Sequence, residues 1–418
     1  MDESTAAVVA LCIVGWSLIS RRSTRANITG PLVFVVLGVI LAHEPLALIH
    51  VNIGAESVRL TAEITLAILL FTDASRVNLR ALRSDAALPS RLLLIGLPLT
   101  IGFGIAAAAL VLDGVSIWIA AVIAAVVAPT DAALGAPVVQ DERVPGRIRR
   151  VINVESGLND GIATPFVYAF LAGALTGDVA SSGGGLGALG DLGIGVIVGM
   201  TLGLGMGLGL GVAARKGWSA PGTRPVAVLA LALACYFVAV ELDANGFIAA
   251  FVGGLAFGGP TGGDEKLMRF SEAAGDAISL VVWFLFGAAM LVPAFEDLGV
   301  DDVVFAVLAL SVVRMVPVAI ALIGSGLDRS TIAFIGWFGP RGLASVVFGL
   351  IAFDQLESAD AQQVLPAVAV TVALSVIVHG VSASPLVARY ARHTESIHET
   401  KPEHHATPEL RTRNARYE

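Results

Sequence analysis

Long apolar runs, each near the length that spans a lipid bilayer, recur along almost the whole chain. A helix needs about 20 residues to cross the hydrocarbon core, so the pattern predicts about thirteen transmembrane helices. We therefore predict an all-α polytopic membrane protein. The predicted segments lie near residues 6–20, 28–43, 60–75, 91–112, 115–139, 149–175, 187–213, 224–240, 245–259, 272–292, 301–324, 329–352 and 364–388.

Basic residues fall on alternate loops between these segments. Of the 26 Lys and Arg residues, 23 lie in loops on one side, Arg59 lies on the other, and Arg314 and Arg341 lie inside segments. Because basic loops stay in the cytoplasm, this alternation predicts an external N-terminus and a cytoplasmic C-terminal tail. The acidic start MDEST lacks the basic region of a cleaved signal peptide, so the first segment is predicted to be a true span.

The composition agrees with a membrane location. Hydrophobic residues make up 56% of the chain and charged residues 14%, with a mean hydropathy of +0.82, which is unlike a soluble domain. The net charge of −8 does not indicate a nucleic-acid partner, because acidic and basic residues are segregated between the two membrane faces. The two cysteines, Cys12 and Cys235, show no metal-ligand spacing, and no cofactor is expected.

Two neighbouring apolar segments contain carboxylates near their middle. A charge at mid-bilayer costs at least ~2.5–3.5 kcal/mol on insertion scales, so such residues indicate a functional site. In the first segment, Asp131 follows Pro129 and Thr130; the proline breaks the helical ladder and leaves carbonyls free to coordinate a cation. In the second, positions that share one face of a helix carry Glu155, Ser156, Asn159 and Asp160.

The stretches APTDAALGAPVV, ESGLNDG and FIGWFGPRGLASVV resemble the monovalent cation/proton antiporter superfamily. The resemblance is strongest to NhaP-type sodium/proton antiporters and the related animal sodium/hydrogen exchangers, and it covers essentially the whole membrane part. It implies inverted repeats, a homodimer, and two unwound helices that cross in the fifth and twelfth segments. It also implies one antiporter unit at residues 1–390, with interleaved core and dimerisation subdomains, and a short polar cytoplasmic tail at 391–418.

The resemblance assigns roles to the residues of the candidate cation site. Asp160 would bind the transported ion, and Asp131 would be the second carboxylate. The Thr130 carbonyl and the Ser156 hydroxyl would be neutral ligands. Asn159 matches the position that separates electroneutral exchangers from electrogenic ones, which have aspartate there, so exchange of one cation for one proton follows.

Further charged residues also match family positions. Glu155 and Arg341 match residues that form a buried ion pair bracing the core. Asp73 matches an acidic residue of the third helix near the ion path, and Arg314 resembles a basic residue common in the eleventh helix.

The function expected from this resemblance is secondary active transport in the cell membrane, not enzymatic catalysis. Sodium, or another cation such as Li⁺ or K⁺, would exchange for protons by alternating access, with both competing for Asp160. A sodium-coupled solute symporter of related architecture is an alternative that would not exchange a proton. An intramembrane aspartyl protease also needs two aspartates, but its Gly-x-Gly-Asp motif is missing, since Leu158 and Asn159 precede Asp160.

Overall fold

The structure is a computed structural model and describes residues 3–25, 28–44, 46–77, 86–176, 184–395 and 401–404. These residues are helical nearly throughout and contain no strand, as expected where lipid cannot satisfy backbone polar groups. The helices are α1 (Glu3–Arg25), α2 (Gly30–Ala42), α3 (Glu56–Ser75), α4 (Ala87–Val111), α5 (Ile117–Val127), α6 (Ala136–Val139), α7 (Gly146–Thr176), α8 (Gly184–Arg215), α9 (Arg224–Glu241), α10 (Gly246–Thr261), α11 (Glu265–Leu285), α12 (Val292–Glu296), α13 (Val300–Leu310), α14 (Val312–Ala321), α15 (Arg329–Trp337), α16 (Leu343–Gln355) and α17 (Ser358–Thr394).

The helices agree with a chain that crosses the membrane many times. Within the described ranges, 7 helical stretches are long and apolar enough to span a membrane, and α2, α5, α10 and α16 are shorter apolar helices. Two of the long stretches contain a π-helical turn, at Leu92–Gly96 and Phe286–Leu291. The prediction of an all-α polytopic membrane protein is confirmed, whereas the count of about thirteen spans stays a prediction.

The chain divides into two compact units, each made of separate stretches. The first unit comprises Met1–Arg59, Ala87–Asn159 and Leu280–Glu418, and the second comprises Leu60–Ala86 and Asp160–Ser279. Helices α3 and α7 therefore each begin in the first unit and end in the second.

In the second unit, α8 and α10 pack closely through glycines. A Cβ atom added at Gly199 or Gly203 would overlap the carbonyl oxygen of Ala249 or Gly253, respectively. Small residues permit this approach of two helix backbones, as they do in many membrane proteins.

In the first unit, two helical segments are interrupted where the sequence carries proline. Helix α5 ends at Val127, and non-helical chain follows before α6. Helix α15 ends at Trp337, and residues 338–342 are non-helical before α16. Pro129 and Pro340 lack a backbone N–H and disfavour helical geometry in the residue before them. These are the two unwound helices predicted in the fifth and twelfth segments; the inverted repeat stays a prediction.

Candidate functional site

The two interruptions meet through Asp131. Its backbone N–H donates to the carbonyl oxygen of Pro340 at 2.7 Å. Its Oδ1 accepts from the N–H of Ala133 at 2.7 Å and of Leu134 at 3.3 Å, while Oδ2 accepts from the N–H of Leu343 at 3.0 Å. Because Leu343 is the first residue of α16, the carboxylate caps that helix and also fixes the turn that follows Asp131.

Arg341 stabilises the opposite helix end. Its side chain is fully buried. Nη1 donates to the carbonyl oxygen of Ala128 at 2.5 Å and to the carbonyl oxygen of Pro129 at 3.4 Å. These carbonyls lie at the C-terminal end of α5, where the helix dipole favours a positive charge. Asp131, from the first interruption, therefore stabilises the start of α16. Arg341, from the second interruption, stabilises the end of α5.

Glu155 forms its ion pair with Arg314. Both guanidinium nitrogens lie 2.8 Å from the two carboxylate oxygens, and the side chains are 1% and 2% exposed. The predicted pairing of Glu155 with Arg341 is therefore wrong. The forked guanidinium of Arg314 matches both oxygens, whereas that of Arg341 donates to backbone carbonyls.

Three neutral polar side chains form a buried cluster beside this pair. The hydroxyl oxygen of Thr130 lies 2.9 Å from the hydroxyl oxygen of Ser156 and accepts a hydrogen bond from Nδ2 of Asn159 at 2.6 Å. The three side chains are 1%, 3% and 0% exposed. Among the described residues, no donor reaches the buried Oδ1 of Asn159. Oxygen atoms of hydroxyl and amide groups are suitable ligands for hard cations.

The remaining predicted site residues belong to the second unit. Asp160 follows Asn159 directly on α7, is half-buried, and its backbone carbonyl accepts from the hydroxyl of Thr164 at 2.9 Å. Asp73 is half-buried near the end of α3. Of the predicted cation ligands, Thr130, Ser156 and Asn159 are the ones whose side chains the structure brings into contact.

Two residues of α17 that sequence reasoning missed hold the second interruption. The hydroxyl of Ser375 accepts from the N–H of Arg341 at 2.7 Å, and Nε2 of His379 lies 2.9 Å from the carbonyl oxygen of Trp337. Nδ1 of the same ring lies 2.9 Å from the carbonyl oxygen of Ser375, so each ring nitrogen faces a backbone carbonyl. Both side chains are buried, and both satisfy backbone groups that a continuous helix would pair. The sequence signal was a serine and a histidine four residues apart within an apolar run.

Among the residues that the structure describes, no three His, Cys, Asp or Glu side chains are grouped to hold a metal ion.

A family model described as "Sodium/hydrogen exchanger, transmembrane" matches residues 8–389. A probable Na(+)/H(+) antiporter of Schizosaccharomyces pombe is 24% identical over 251 residues, which are 56% of this chain and 33% of that relative. The match thus spans about a third of the relative's length.

Two solved structures of the sodium proton antiporter MjNhaP1 from Methanocaldococcus jannaschii, one at pH 8 and one from an electron-microscopy map, share the fold. Each has a TM-score of 0.76 and 18% identity, and covers 93% of this chain and 98% of its own. At that identity the likeness concerns the fold alone.

Proposed function

Because the chain belongs to the sodium/hydrogen exchanger family, whose members are transporters rather than enzymes, we propose that it exchanges Na⁺ or another monovalent cation for H⁺. The observation that carries the proposal is the buried cluster of Thr130, Ser156 and Asn159. Ser156 and Asn159 lie on α7, and Asp160 is the next residue of that helix. Hydroxyl and amide oxygens buried inside an apolar protein suit a small cation that must shed its water.

Exchange requires a carboxylate that binds either the cation or the proton, never both. In our proposal this group is Asp160. An ionised and empty site is costly to move through a medium of low dielectric constant, so the protein changes the side that it faces only when the carboxylate is neutralised. Competition for one site thereby couples the two fluxes, and alternating access delivers them to opposite sides.

The neighbouring residues have distinct proposed roles. The oxygens of Thr130 and Ser156 and the Oδ1 atom of Asn159 are the neutral cation ligands. Asp131 already accepts three backbone N–H groups out of about four lone-pair positions, so its main role is to hold the two interruptions together. Asp73 is proposed to lie near the ion path, as the resemblance implies.

The proposal includes the setting of the transporter. We place it in the cell membrane with an external N-terminus and a cytoplasmic tail, supported by the alternation of basic loops. A homodimer is proposed from the family resemblance.

The first prediction tests Asp160. Asp160→Asn cannot bind a proton or balance a cation's charge, so we expect Na⁺-driven H⁺ movement in proteoliposomes to fall to the level of empty vesicles. A pH-sensitive dye reports the flux, and size-exclusion elution in detergent checks folding.

The matched control is Asp243→Asn, because Asp243 is exposed and, at φ 52°, occupies a conformation that asparagine tolerates. It should retain the wild-type rate. Substantial exchange by folded Asp160→Asn would remove Asp160 from its proposed role, and dependence of sodium flux on an organic solute would favour the symporter.

A further inference from the structure

An apolar slot lies in the first unit beside α2. Its walls are α2, the π-helical turn Phe286–Leu291 and the middle of α17, and its volume is about 180 Å³. Each described residue that lines it has an apolar side chain. An apolar cavity of similar size, about 150 Å³, stays dry and accepts benzene, whereas a buried water needs two or more polar partners. The slot is therefore suited to an apolar ligand.

The slot follows the length of α2. Leu32 and the residues three, four, seven and eight positions after it share one face of that helix and line the slot. They are Val35, Val36, Val39 and Ile40. The first and the last of the five are about 12 Å apart along the helix axis. The slot is thus long and runs parallel to an apolar helix, a shape that fits a linear chain.

The π-helical turn supplies the second wall. Phe286 and Leu291, at its two ends, both line the slot, although residues five apart point about 140° away from each other on an α-helix. A π-helical hydrogen bond joins residues five apart, so this turn places both side chains on one face. Nε2 of His43, which follows α2, lies 3.1 Å from the carbonyl oxygen of Ala288 in the same turn. The irregular turn thus shapes the slot, as π-helical turns frequently do at functional sites.

Close backbone packing prevents α2 from moving into the slot. A Cβ atom added at Gly38 would overlap the carbonyl oxygen of Phe284, and one added at Gly287 would overlap the carbonyl oxygen of Val35. The two backbones therefore already touch, as small residues permit in membrane proteins. A shift of α2 toward this wall cannot fill the slot, so the floor of the slot remains available to a ligand.

The slot opens sideways, away from the protein interior. Its floor residues are at most 8% exposed: Val35, Phe286, Leu291 and Val376. Its rim residues are at least 45% exposed: Val36, Ile40 and Ile377. Ile377 lies near the middle of α17, a 37-residue helix that is apolar enough to span a membrane. The mouth of the slot is therefore at the depth of the bilayer hydrocarbon, where lipid acyl chains surround the protein.

We propose that this slot binds one acyl chain of a bilayer phospholipid. Lipid tails are as apolar as leucine side chains, so the chain gains nothing by leaving water. Binding is favoured by van der Waals contact with the floor, whose atoms otherwise lack partners on the side of the slot. A headgroup would leave its polar groups unpaired there, so the chain alone enters. The lining residues differ from the proposed cation ligands, so the inference stands whether or not the protein exchanges ions.

Photolabelling in a bilayer tests the floor of the slot. The wild-type protein is reconstituted in phosphatidylcholine vesicles that contain a trace of phosphatidylcholine with a mid-chain diazirine, and mass spectrometry after illumination maps the labelled residues. We expect label on Val35 and Phe286, which are shielded from bulk lipid, as well as on Leu110 of α4, which is 85% exposed. Absence of label from both floor residues, as when side chains of a second copy fill the slot, would overturn the proposal.

A variant that fills the slot provides the second arm. Ala373 lines the slot from α17. Ala373→Phe should lower the label on Val35 and Phe286 by about fivefold or more, because a benzene ring occupies most of a cavity of this size. The label on Leu110 should not change. Ala230→Phe is the matched control, because Ala230 is exposed on α9 and does not line the slot, and it should leave all three yields unchanged.

Ala373→Leu replaces the larger variant if size-exclusion elution in detergent shows that Ala373→Phe does not fold. Leucine fills part of the slot, so the label on the floor should again fall, by a smaller factor. Floor labelling at the wild-type level in a folded Ala373 variant would mean that the chain reaches these residues by another route, and would overturn the site.

Discussion

Buried arginines differ in their roles according to the groups that face them. Arg314 meets a carboxylate, whereas Arg341 meets carbonyl oxygens at a helix end. A planar guanidinium suits both arrangements, so residue type alone does not distinguish them. Because Arg314 pairs with Glu155, each of these two charges has a partner in the apolar interior.

A second prediction follows at the scale of single residues. Glu155→Gln should destabilise the protein by about 3–5 kcal/mol, because the buried charge of Arg314 loses its partner. Thermal unfolding in detergent measures the effect as a lowered Tm.

Asp354→Asn is the control for this change. Asp354 also pairs with an arginine, Arg59, at 2.6 Å, but the two side chains are 30% and 42% exposed. Solvent screens such a pair, so its loss should cost at most about 1 kcal/mol. Equal Tm shifts in the two variants would contradict a structural role for the buried pair.

At the scale of elements, helices end where proline interrupts the backbone hydrogen bonds, and two helices pack closely where glycine places no side chain between them. The interruptions beside Pro129 and Pro340 expose backbone groups, which Asp131, Arg341 and Ser375 then satisfy. Packing between α8 and α10 depends instead on glycine, because any larger residue separates the two backbones.

A third prediction concerns this helix pair. Gly203→Ala places a methyl group against the backbone of Gly253, so we expect a loss of about 1–3 kcal/mol in stability, seen as a lower Tm. Gly205→Ala, two residues further along α8, meets no atom within 4 Å and should be neutral or stabilising by up to about 1 kcal/mol. Similar Tm values for both variants would show that close packing is not what these glycines provide.

At the scale of the whole molecule, the property to be tested is the net charge that the coupled cation and proton fluxes carry across the membrane in each cycle. Glu155 is neutralised by Arg314 and Asn159 is uncharged, so within ESGLNDG the proposed exchange involves Asp160 alone. In the proposed cycle one proton would replace one monovalent cation, and no net charge would cross the membrane.

The fourth prediction tests this stoichiometry. A potassium diffusion potential imposed with valinomycin should leave the steady-state proton gradient at a fixed sodium gradient unchanged, because a potential does no work on an electroneutral cycle. Measurements with potentials of both signs provide the internal control. A gradient that follows the potential would require unequal numbers of protons and cations in each cycle.

The sequence was sufficient for the all-helical class and for the two helix interruptions. The boundaries of α2 and α9 lie within a few residues of the predicted segments at 28–43 and 224–240, because an apolar run of that length has few alternatives in lipid. The breaks beside Pro129 and Pro340 were equally predictable, since proline acts on the backbone locally. The contact between Thr130 and Asn159 was suggested by their placement in neighbouring segments.

What the tertiary structure alone decided is which distant partners meet. Arg314 and Arg341 both lie in apolar segments, and only the packing of α7 and α14 assigns Glu155 to the first. The burial of Glu403 likewise could not be predicted, because its tail reads as polar and solvated. Segment character follows from local chemistry along the chain, whereas pairing depends on helix rotation and position, which many packed interactions determine together.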